Sequence, residues 1–301
     1  MHNSENGVSE MKFKAAGTSV TSTTDNRNRR EILIDSGPGC WVEDYESEIA
    51  QHPFGRYSEL RELSGERVEY AAVLSTFKLI VRVKSQLEAI VEVRCWAMPL
   101  DHGSSSKKPN RSKKTKPSGS SVNSRDENIR KLKLNFEQSI SQAWNKRFKL
   151  KIVNPGCATR ILPITYKIVW DEASPHYTLW ISPVKVREKV ANGVVVLSEF
   201  SLMQTYAHEF AHCLGVPDEY ANALENRIVN YYRPDGTLAP DIIALTTGYE
   251  KNSTDPNGNI MSQKGSTKVE LRHAWNIAIE AQALLRAKIG REIQCDILRA
   301  E

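Results

Sequence analysis

The chain has 301 residues, of which 40% are hydrophobic and 26% are charged, and its formal net charge is +5. These proportions are typical of a soluble globular protein, and the 16 glycines and 13 prolines follow no repeat, which excludes a collagen-like fibre. No apolar run approaches the roughly 18 residues that cross a bilayer, so we expect no membrane span.

Residues 1–30 are rich in Ser, Thr, Asn and Gly and poor in large apolar side chains. Such a segment buries too little surface to offset the entropy lost on ordering, and we expect a disordered arm. It also lacks the apolar stretch of roughly 7 to 15 residues that a cleaved secretory signal requires. The sequence therefore predicts a protein that is cytoplasmic in the producing cell, or one that enters a target cell by a route independent of a signal peptide.

The cysteines are odd in number, widely spaced and without a C-x-x-C pair. This pattern is typical of reduced thiols buried as small core residues, and it argues against a cysteine-based zinc site. The cysteines are Cys40, Cys95, Cys157, Cys213 and Cys295.

The positive charge is concentrated in one segment, residues 103–125. Seven basic residues and no acidic one lie from Ser104 to Arg125, and the rest of the chain holds 34 basic and 36 acidic residues. The mixture of Ser, Lys, Pro and Gly is typical of a flexible linker. The segment has no aromatic residue for stacking on bases, so we expect no nucleic-acid partner. Binding to nucleic acid or an anionic membrane is the alternative function for it.

Residues 31–102 predict a small β-rich region before this linker, with a first short strand at Glu31–Ile34. A stronger signal follows at 77–95, where apolar and charged side chains alternate on either side of Ser85-Gln86, as in a hairpin with one solvated face. Its buried side would hold Phe77, Leu79, Val81, Val83, Ala89, Val91, Val93 and Cys95.

A long helix is predicted after the linker, at the start of a second domain that covers residues 126–301. Ser124 and Glu127 match a capping box, and apolar residues recur at helical spacing as far as Phe148. Runs rich in β-branched and aromatic residues then predict three strands. These strands are Ile161–Trp170, Tyr177–Ile181 and Val194–Leu197.

The segment from Ser201 to Tyr220 reads SLMQTYAHEFAHCLGVPDEY and predicts an amphipathic helix that ends at a glycine turn. Ser201 and Gln204 can cap the start of this helix, and Gly215 followed by Pro217 can end it. A last helix is expected near the end of the chain, where Thr267 and Glu270 match another capping box.

His208 and His212 are four residues apart on the amphipathic helix. Their imidazoles therefore project from one side, one turn apart, where both can bind Zn²⁺ at about 2.0 to 2.1 Å. Glu209 stands next to the first histidine but off the ligand row, so it is the candidate general base for a water molecule.

A catalytic zinc takes a third protein ligand and keeps one position open for water. A left-handed turn at Gly215 would bring the following residues back toward the metal, so Asp218 is the predicted third ligand. Glu219 is the nearest alternative, and an acidic residue from a later helix, Glu270 or Glu280, is another.

The stretch from His208 to Asp218 reads H-E-x-x-H-x-x-G-x-x-D and resembles the metzincin-like zincin metallopeptidases, in the variant in which aspartate replaces the third histidine. The turn from Asn259 to Ser262, which contains Met261, looks like the Met-turn that lies beneath the zinc in that clan. The resemblance implies an α+β, zincin-like metallopeptidase domain with a long helix, a mixed sheet, the active-site helix, the Met-turn and a C-terminal helix.

The same resemblance implies a zinc-dependent endopeptidase, in which Glu209 takes a proton from zinc-activated water and hands it to the leaving amine. The motif is also similar to metallopeptidase domains of bacterial toxins delivered between cells. This similarity implies a protein or peptide substrate, and a secretion carrier or an inhibitory immunity protein as a partner. Two alternatives stay open: a zinc amidase or endopeptidase that acts on cell-wall peptide crosslinks, and a non-enzymatic module with a structural zinc.

A donor for the developing oxyanion is expected from the tyrosines that follow the active-site helix. The candidates are Tyr220, Tyr231, Tyr232 and Tyr249. His176 and His273 are candidates for further ligands or substrate contacts, although His273, beside Arg272, is expected to be a surface or packing residue.

Overall fold

A computed structural model describes the chain at residues 40–51, 57–63, 66–70, 75–100, 120–220, 226–239, 242–244, 258–263, 265–290 and 292–301. The arm predicted at 1–30, the strand predicted at Glu31–Ile34 and residues 103–119 of the basic linker lie outside these ranges. Within the ranges, no helix combines the length and the hydropathy needed to cross a membrane.

The described residues form thirteen strands, three α-helices and one 3₁₀ helix. In chain order they are β1 (Tyr45–Gln51), β2 (Tyr57–Leu63), β3 (Glu66–Tyr70), β4 (Ser75–Arg82), β5 (Glu88–Pro99), α1 (Ser120–Ala143), β6 (Phe148–Val153), β7 (Arg160–Trp170), β8 (Tyr177–Ser182), β9 (Lys189–Ala191), β10 (Val194–Ser198), α2 (Met203–Cys213), β11 (Asn226–Tyr231), β12 (Ile242–Ala244), the 3₁₀ helix (Leu271–Ala274), α3 (Trp275–Lys288) and β13 (Gln294–Arg299).

Nine strands form a mixed sheet in the order β13-β6-β7-β5-β8-β10-β9, to which β4 and β1 are attached through β5. Strand β5 runs parallel to β7 and β8, whereas β13, β6 and β7 pair antiparallel to one another in turn. A second, antiparallel sheet has the order β12-β11-β2-β3. Helices combined with a mixed sheet are the coarse arrangement expected of an α+β fold.

The hairpin predicted from the alternating pattern at 77–95 is confirmed. Strands β4 and β5 pair antiparallel, with Leu79 opposite Val91 and Val81 opposite Ala89. The predicted inward side chains on both strands are buried. Strand β5 is longer than the hairpin needs, and its second half pairs with β8 on the edge that β4 occupies in the first half. This hairpin is therefore part of the same sheet as the strands that follow α1.

The first helix differs from its prediction at both ends. It begins at Ser120, so Ser124 is its fifth residue and not its cap, because no glycine or proline interrupts the chain from there to Ala143. It ends before Phe148, which is the first residue of β6. Lys146 has a positive φ of 60°, which breaks the helical path, and the Asn145 side chain bonds the Tyr166 backbone in β7.

One core lies between α1, α2 and the large sheet. The apolar stripe of α1 is buried there, including Phe136, Ile140 and Trp144. Rings of Trp144, Tyr166 and Phe210 meet pairwise with centroids 5.3 to 6.0 Å apart, in tilted or edge-to-face geometry. This aromatic cluster joins α1, β7 and α2, and it fixes the helix that carries the two histidines of the motif.

The prediction that all the cysteines are reduced is wrong for two of them. Cys40 and Cys157 form a disulfide that joins residues 117 positions apart. The neighbouring Trp41 is buried and donates its indole N–H to the Ala158 carbonyl at 2.7 Å, so the start of the described chain is fastened to the β6–β7 connection. The other cysteines, Cys95, Cys213 and Cys295, are buried free thiols.

We expect the denatured, unreduced protein to titrate as three thiols per chain, and as five after reduction. In the chain-entropy model, a crosslink that closes a loop of about 100 residues raises the free energy of the unfolded chain by up to about 4.7 kcal/mol. Natural disulfides typically contribute about 2 to 5 kcal/mol to the free energy of unfolding. The Cys40→Ser, Cys157→Ser double variant should lose stability in that range in urea unfolding. Reduced wild-type protein is the matched control and should unfold with the double variant, whereas five thiols without reductant would contradict the pairing.

Candidate metal centre

Helix α2 carries the histidine motif, and its start differs from the prediction. The residue before its first turn is Leu202, and no side chain caps the helix, so the predicted cap by Ser201 and Gln204 is wrong. The Ser201 hydroxyl is used elsewhere: it donates to Glu188 at 2.7 Å and accepts from the Ser198 backbone N–H at 3.0 Å.

One face of α2 is held by packing and hydrogen bonds to the core. Phe210 lies in the aromatic cluster, and the Tyr206 ring meets Phe136 of α1 edge-on with centroids 6.0 Å apart. The Trp144 indole donates to the Ala207 carbonyl at 3.1 Å. At the end of the helix, the Tyr177 hydroxyl donates to the Cys213 carbonyl at 3.1 Å. These contacts fix the rotation of the helix about its axis, and with it the direction of the histidine side chains.

His208 and His212 face each other as the spacing predicts, with ring centroids 4.8 Å apart. The chain then turns at Gly215, which has a φ of 80°, the left-handed conformation expected there. The turn returns Asp218 to the two rings, and its Oδ1 atom lies 3.2 Å from Nε2 of each histidine. These three residues form the group of potential metal ligands found in the described parts of the chain, with donor atoms within 4.8 Å of one another.

Each histidine is oriented by a hydrogen bond from its other ring nitrogen. Nδ1 of His208 lies 2.8 Å from the Ile260 carbonyl, and Nδ1 of His212 lies 2.8 Å from the Val216 carbonyl. A carbonyl oxygen only accepts, so Nδ1 is the donor in both rings and Nε2 of each ring is directed at Asp218 Oδ1. This is the support that metal-binding histidines usually have.

The hydrogen bonding of Asp218 Oδ1, the atom between the two rings, shows whether these residues fit a cation. Oδ1 of Asp218 is buried and has no hydrogen-bond partner, although two ring nitrogens are 3.2 Å away. An oxygen and two Nε2 lone pairs converge at this point, and such an arrangement requires protons or a cation between the atoms. Two imidazoles and one carboxylate are a donor set that suits zinc.

The electrostatics of the group agree with this chemistry. Burial disfavours the charged form of His212, but the nearby Asp218 carboxylate outweighs that effect and raises the pKa of His212 to about 9. Burial also opposes ionisation of Asp218, yet the charge of His212 and the contacts with both rings hold the pKa of Asp218 well below its usual range. The aspartate therefore supplies a negative charge for a cation.

Glu209 lies next to His208 on the same helix but is not part of the ligand group. Glu209 is only 4% exposed, and its Oε2 atom has no hydrogen-bond partner. Burial raises the pKa of the Glu209 carboxyl, an effect that the two neighbouring histidines partly oppose. A carboxylate that is buried, unpartnered and adjacent to a ligand histidine has the features of a general base.

The alternative third ligands have other partners. Glu219 is not part of the ligand group, and its carboxylate lies in a hydrogen-bond network with Arg272 and His273. Glu270 caps the 3₁₀ helix and pairs with Lys268 and Arg299, so it, and not Thr267, is the residue that starts the last helical segment. Glu280 is buried within α3 and is not part of the ligand group.

The turn expected to resemble a Met-turn is present at Asn259–Ser262. Its backbone is held by bonds from the Ser262 N–H to the Asn259 carbonyl and from the Met261 N–H to the Asn259 side chain. Met261 is fully buried. The turn contacts the ligand group directly, because the carbonyl that orients His208 is that of Ile260.

The candidate tyrosines and the two other candidate histidines differ in whether they contact the ligand group. Tyr231 donates its hydroxyl to Glu219 at 2.8 Å, whereas the Tyr220 ring lies nearly parallel to the His208 ring, with centroids 6.4 Å apart. Among the described candidates, Tyr220 is therefore the tyrosine whose ring contacts a histidine of the ligand group. Tyr232 lies in a β-bridge with Leu238, and Tyr249 lies outside the described residues. His176 contacts Glu48, and His273 is buried against Glu219, so neither joins the ligands.

Sequence reasoning missed the supporting residues around the ligands. Asn259 and Arg272 both bind Glu219, and Ile260 orients His208 through its backbone, which no side-chain motif reveals. The sequence offers only their positions as a signal, because Asn259 lies in the expected Met-turn and Arg272 lies at the start of the last helix. No protein-family model matches the chain, and no curated protein or solved structure matches it either.

Proposed function

We propose that the chain is a zinc-dependent endopeptidase in which His208, His212 and Asp218 hold the ion and Glu209 is the general base. The observation that carries this proposal is the unpartnered Asp218 Oδ1 atom between two Nε2 atoms at 3.2 Å. The order of long helix, mixed sheet, histidine helix, methionine turn and last helix supports a zincin-like fold as part of the same proposal.

A bound zinc ion would supply a Lewis acid that polarises a peptide carbonyl and makes water more acidic. The protein supplies the proton transfers. The Oε2 atom of Glu209 has no competing hydrogen bond, so it is available to accept a proton from water and to return it to the leaving nitrogen.

The ligand count favours a catalytic site over a structural one. Structural zinc sites are closed by four protein ligands, whereas catalytic sites use three and leave one position open. The group here contains two histidines and one aspartate, with no fourth His, Cys, Asp or Glu from the described residues. This supports the hydrolase over the non-enzymatic module with a structural zinc.

The proposal is tested by incubating the full chain with a broad peptide library, with and without a chelator. We expect cleavage that the chelator abolishes and added zinc restores. Casein and purified bacterial cell wall, run in parallel, separate protein cleavage from hydrolysis of cell-wall crosslinks. Cleavage that persists after the zinc content has been lowered to below about 0.1 ion per chain would rule out the metal mechanism.

A further inference from the structure

We propose that Glu219 is a positioning residue that sets the geometry of the metal ligands through a buried hydrogen-bond network. This inference rests on the proposed zinc site and gives Glu219 a role other than that of the third ligand. It concerns the affinity of the ligand group for zinc, which can be measured without any assay of peptide cleavage.

Both carboxylate oxygens of Glu219 are occupied by donors from distant parts of the chain. Arg272 donates to Oε1 at 2.7 Å and to Oε2 at 2.6 Å, and the Tyr231 hydroxyl donates to Oε1 at 2.8 Å. His273 Nε2 lies 3.1 Å from Oε1, and the Asn259 amide donates to Oε2 at 2.7 Å. The side chain of Glu219 is only 1% exposed, so this network replaces water almost completely.

The protonation states of this network follow from its contacts. Nδ1 of His273 accepts a bond from the Glu270 N–H, so Nε2 carries the ring proton and donates to Glu219. Every contact to the Glu219 oxygens is from a donor, including two from the Arg272 guanidinium at 2.7 and 2.6 Å, which is the geometry of an ionised carboxylate. The carboxylate is thus ionised and fully satisfied, which explains why it does not turn toward the histidines.

The network reaches the ligand group through short backbone connections. Glu219 directly follows Asp218, and its own N–H donates to the Met261 carbonyl at 2.9 Å. The preceding residue of that turn, Ile260, orients His208 through its carbonyl. Glu219 therefore connects the supports of two of the three ligands. Asp218 is its neighbour in the chain, and His208 is bonded to the turn that the Glu219 N–H contacts. A shift of this carboxylate would move Asp218 and the His208 support relative to each other.

The test is the affinity for zinc of Glu219→Gln, measured by competition with a chromophoric chelator. The amide keeps the shape of the side chain, but it removes the charge and presents N–H groups to the donors of Arg272. We expect the affinity to fall about 10- to 100-fold, the usual effect of losing a residue that supports metal ligands. The melting temperature of each variant without added metal reports the purely structural effect.

Glu48→Gln is the matched control because Glu48 has the same kinds of partner. Arg94 donates to it at 2.7 and 3.3 Å, and His176 Nε2 lies 2.9 Å away, and none of these residues belongs to an element that carries the ligands. We expect this control to leave zinc affinity unchanged.

Arg272→Lys is the second test variant and serves if Glu219→Gln does not fold. Lysine keeps the positive charge but loses the paired guanidinium contact with both oxygens of Glu219. We expect zinc affinity to fall about tenfold. Affinity equal to wild type in a folded Glu219→Gln, or in Arg272→Lys if that variant must replace it, would overturn the positioning role and leave the proposed function intact. Wild-type protein that binds no zinc would instead contradict the proposed function, and this inference with it.

Discussion

Replacing Glu209 with glutamine is expected to lower peptide hydrolysis about 10²- to 10⁴-fold while about one zinc ion per chain is retained. The substitution removes the proton acceptor at Oε2 but leaves the three ligand side chains unchanged. The buried site should also tolerate the amide, since the two side chains have nearly the same volume. Initial rates on a library-derived peptide and metal content by atomic absorption give the two readouts.

Glu199→Gln is the control for this experiment. Glu199 lies just before α2 and bonds the Asn128 side chain at 3.0 Å, outside the ligand group. We expect this variant to keep both the zinc and the activity of the wild type. Full activity in Glu209→Gln would remove the glutamate from the mechanism, whatever its metal content.

Replacing His212 with alanine is expected to abolish zinc binding at micromolar metal. The loss should exceed the roughly 10- to 100-fold effect of removing a residue that merely supports ligands, because a donor atom itself is lost. It also leaves Asp218 Oδ1 with one imidazole in place of two. The measurement is zinc content after dialysis, together with calorimetric titration of zinc into the apoprotein.

His176→Ala is the matched histidine variant. The His176 side chain is 3% exposed and contacts a carboxylate, that of Glu48, so it resembles His212 in burial and in partner type. It lies outside the ligand group, and we expect it to bind zinc like the wild type. One zinc ion per chain in His212→Ala would show that the ligands have been assigned to the wrong residues.

The parts of the fold that could be predicted are those governed by local periodicity. The hairpin of β4 and β5 follows from strict alternation, and α2 follows from helical spacing that ends at Gly215. The positions of His208 and His212 depend only on that helix, so their approach could be anticipated. The return of Asp218 also follows from local geometry, because three residues after a left-handed glycine leave few paths for the chain.

The parts that could not be predicted depend on contacts between distant residues. The Cys40–Cys157 disulfide spans 117 positions, and an odd cysteine count gives no sign of it. The Glu219 network draws its donors from three segments, and a single sequence does not show which polar side chains will meet in a core. Cap positions failed for a related reason: Ser201 had a tertiary partner in Glu188 that competed with the helix end.

The position of β5 in the large sheet has a consequence for how the molecule is made. Both parallel neighbours of this strand, β7 and β8, come from residues 160–182, and the outermost strand β13 comes from residues 294–299. During synthesis the hairpin of β4 and β5 leaves the ribosome long before the segments that cover its open edges. The edges of β5 that β7 and β8 cover therefore face solvent until residues 160–182 have emerged, whereas β1, which is made earlier, covers the outer edge of β4.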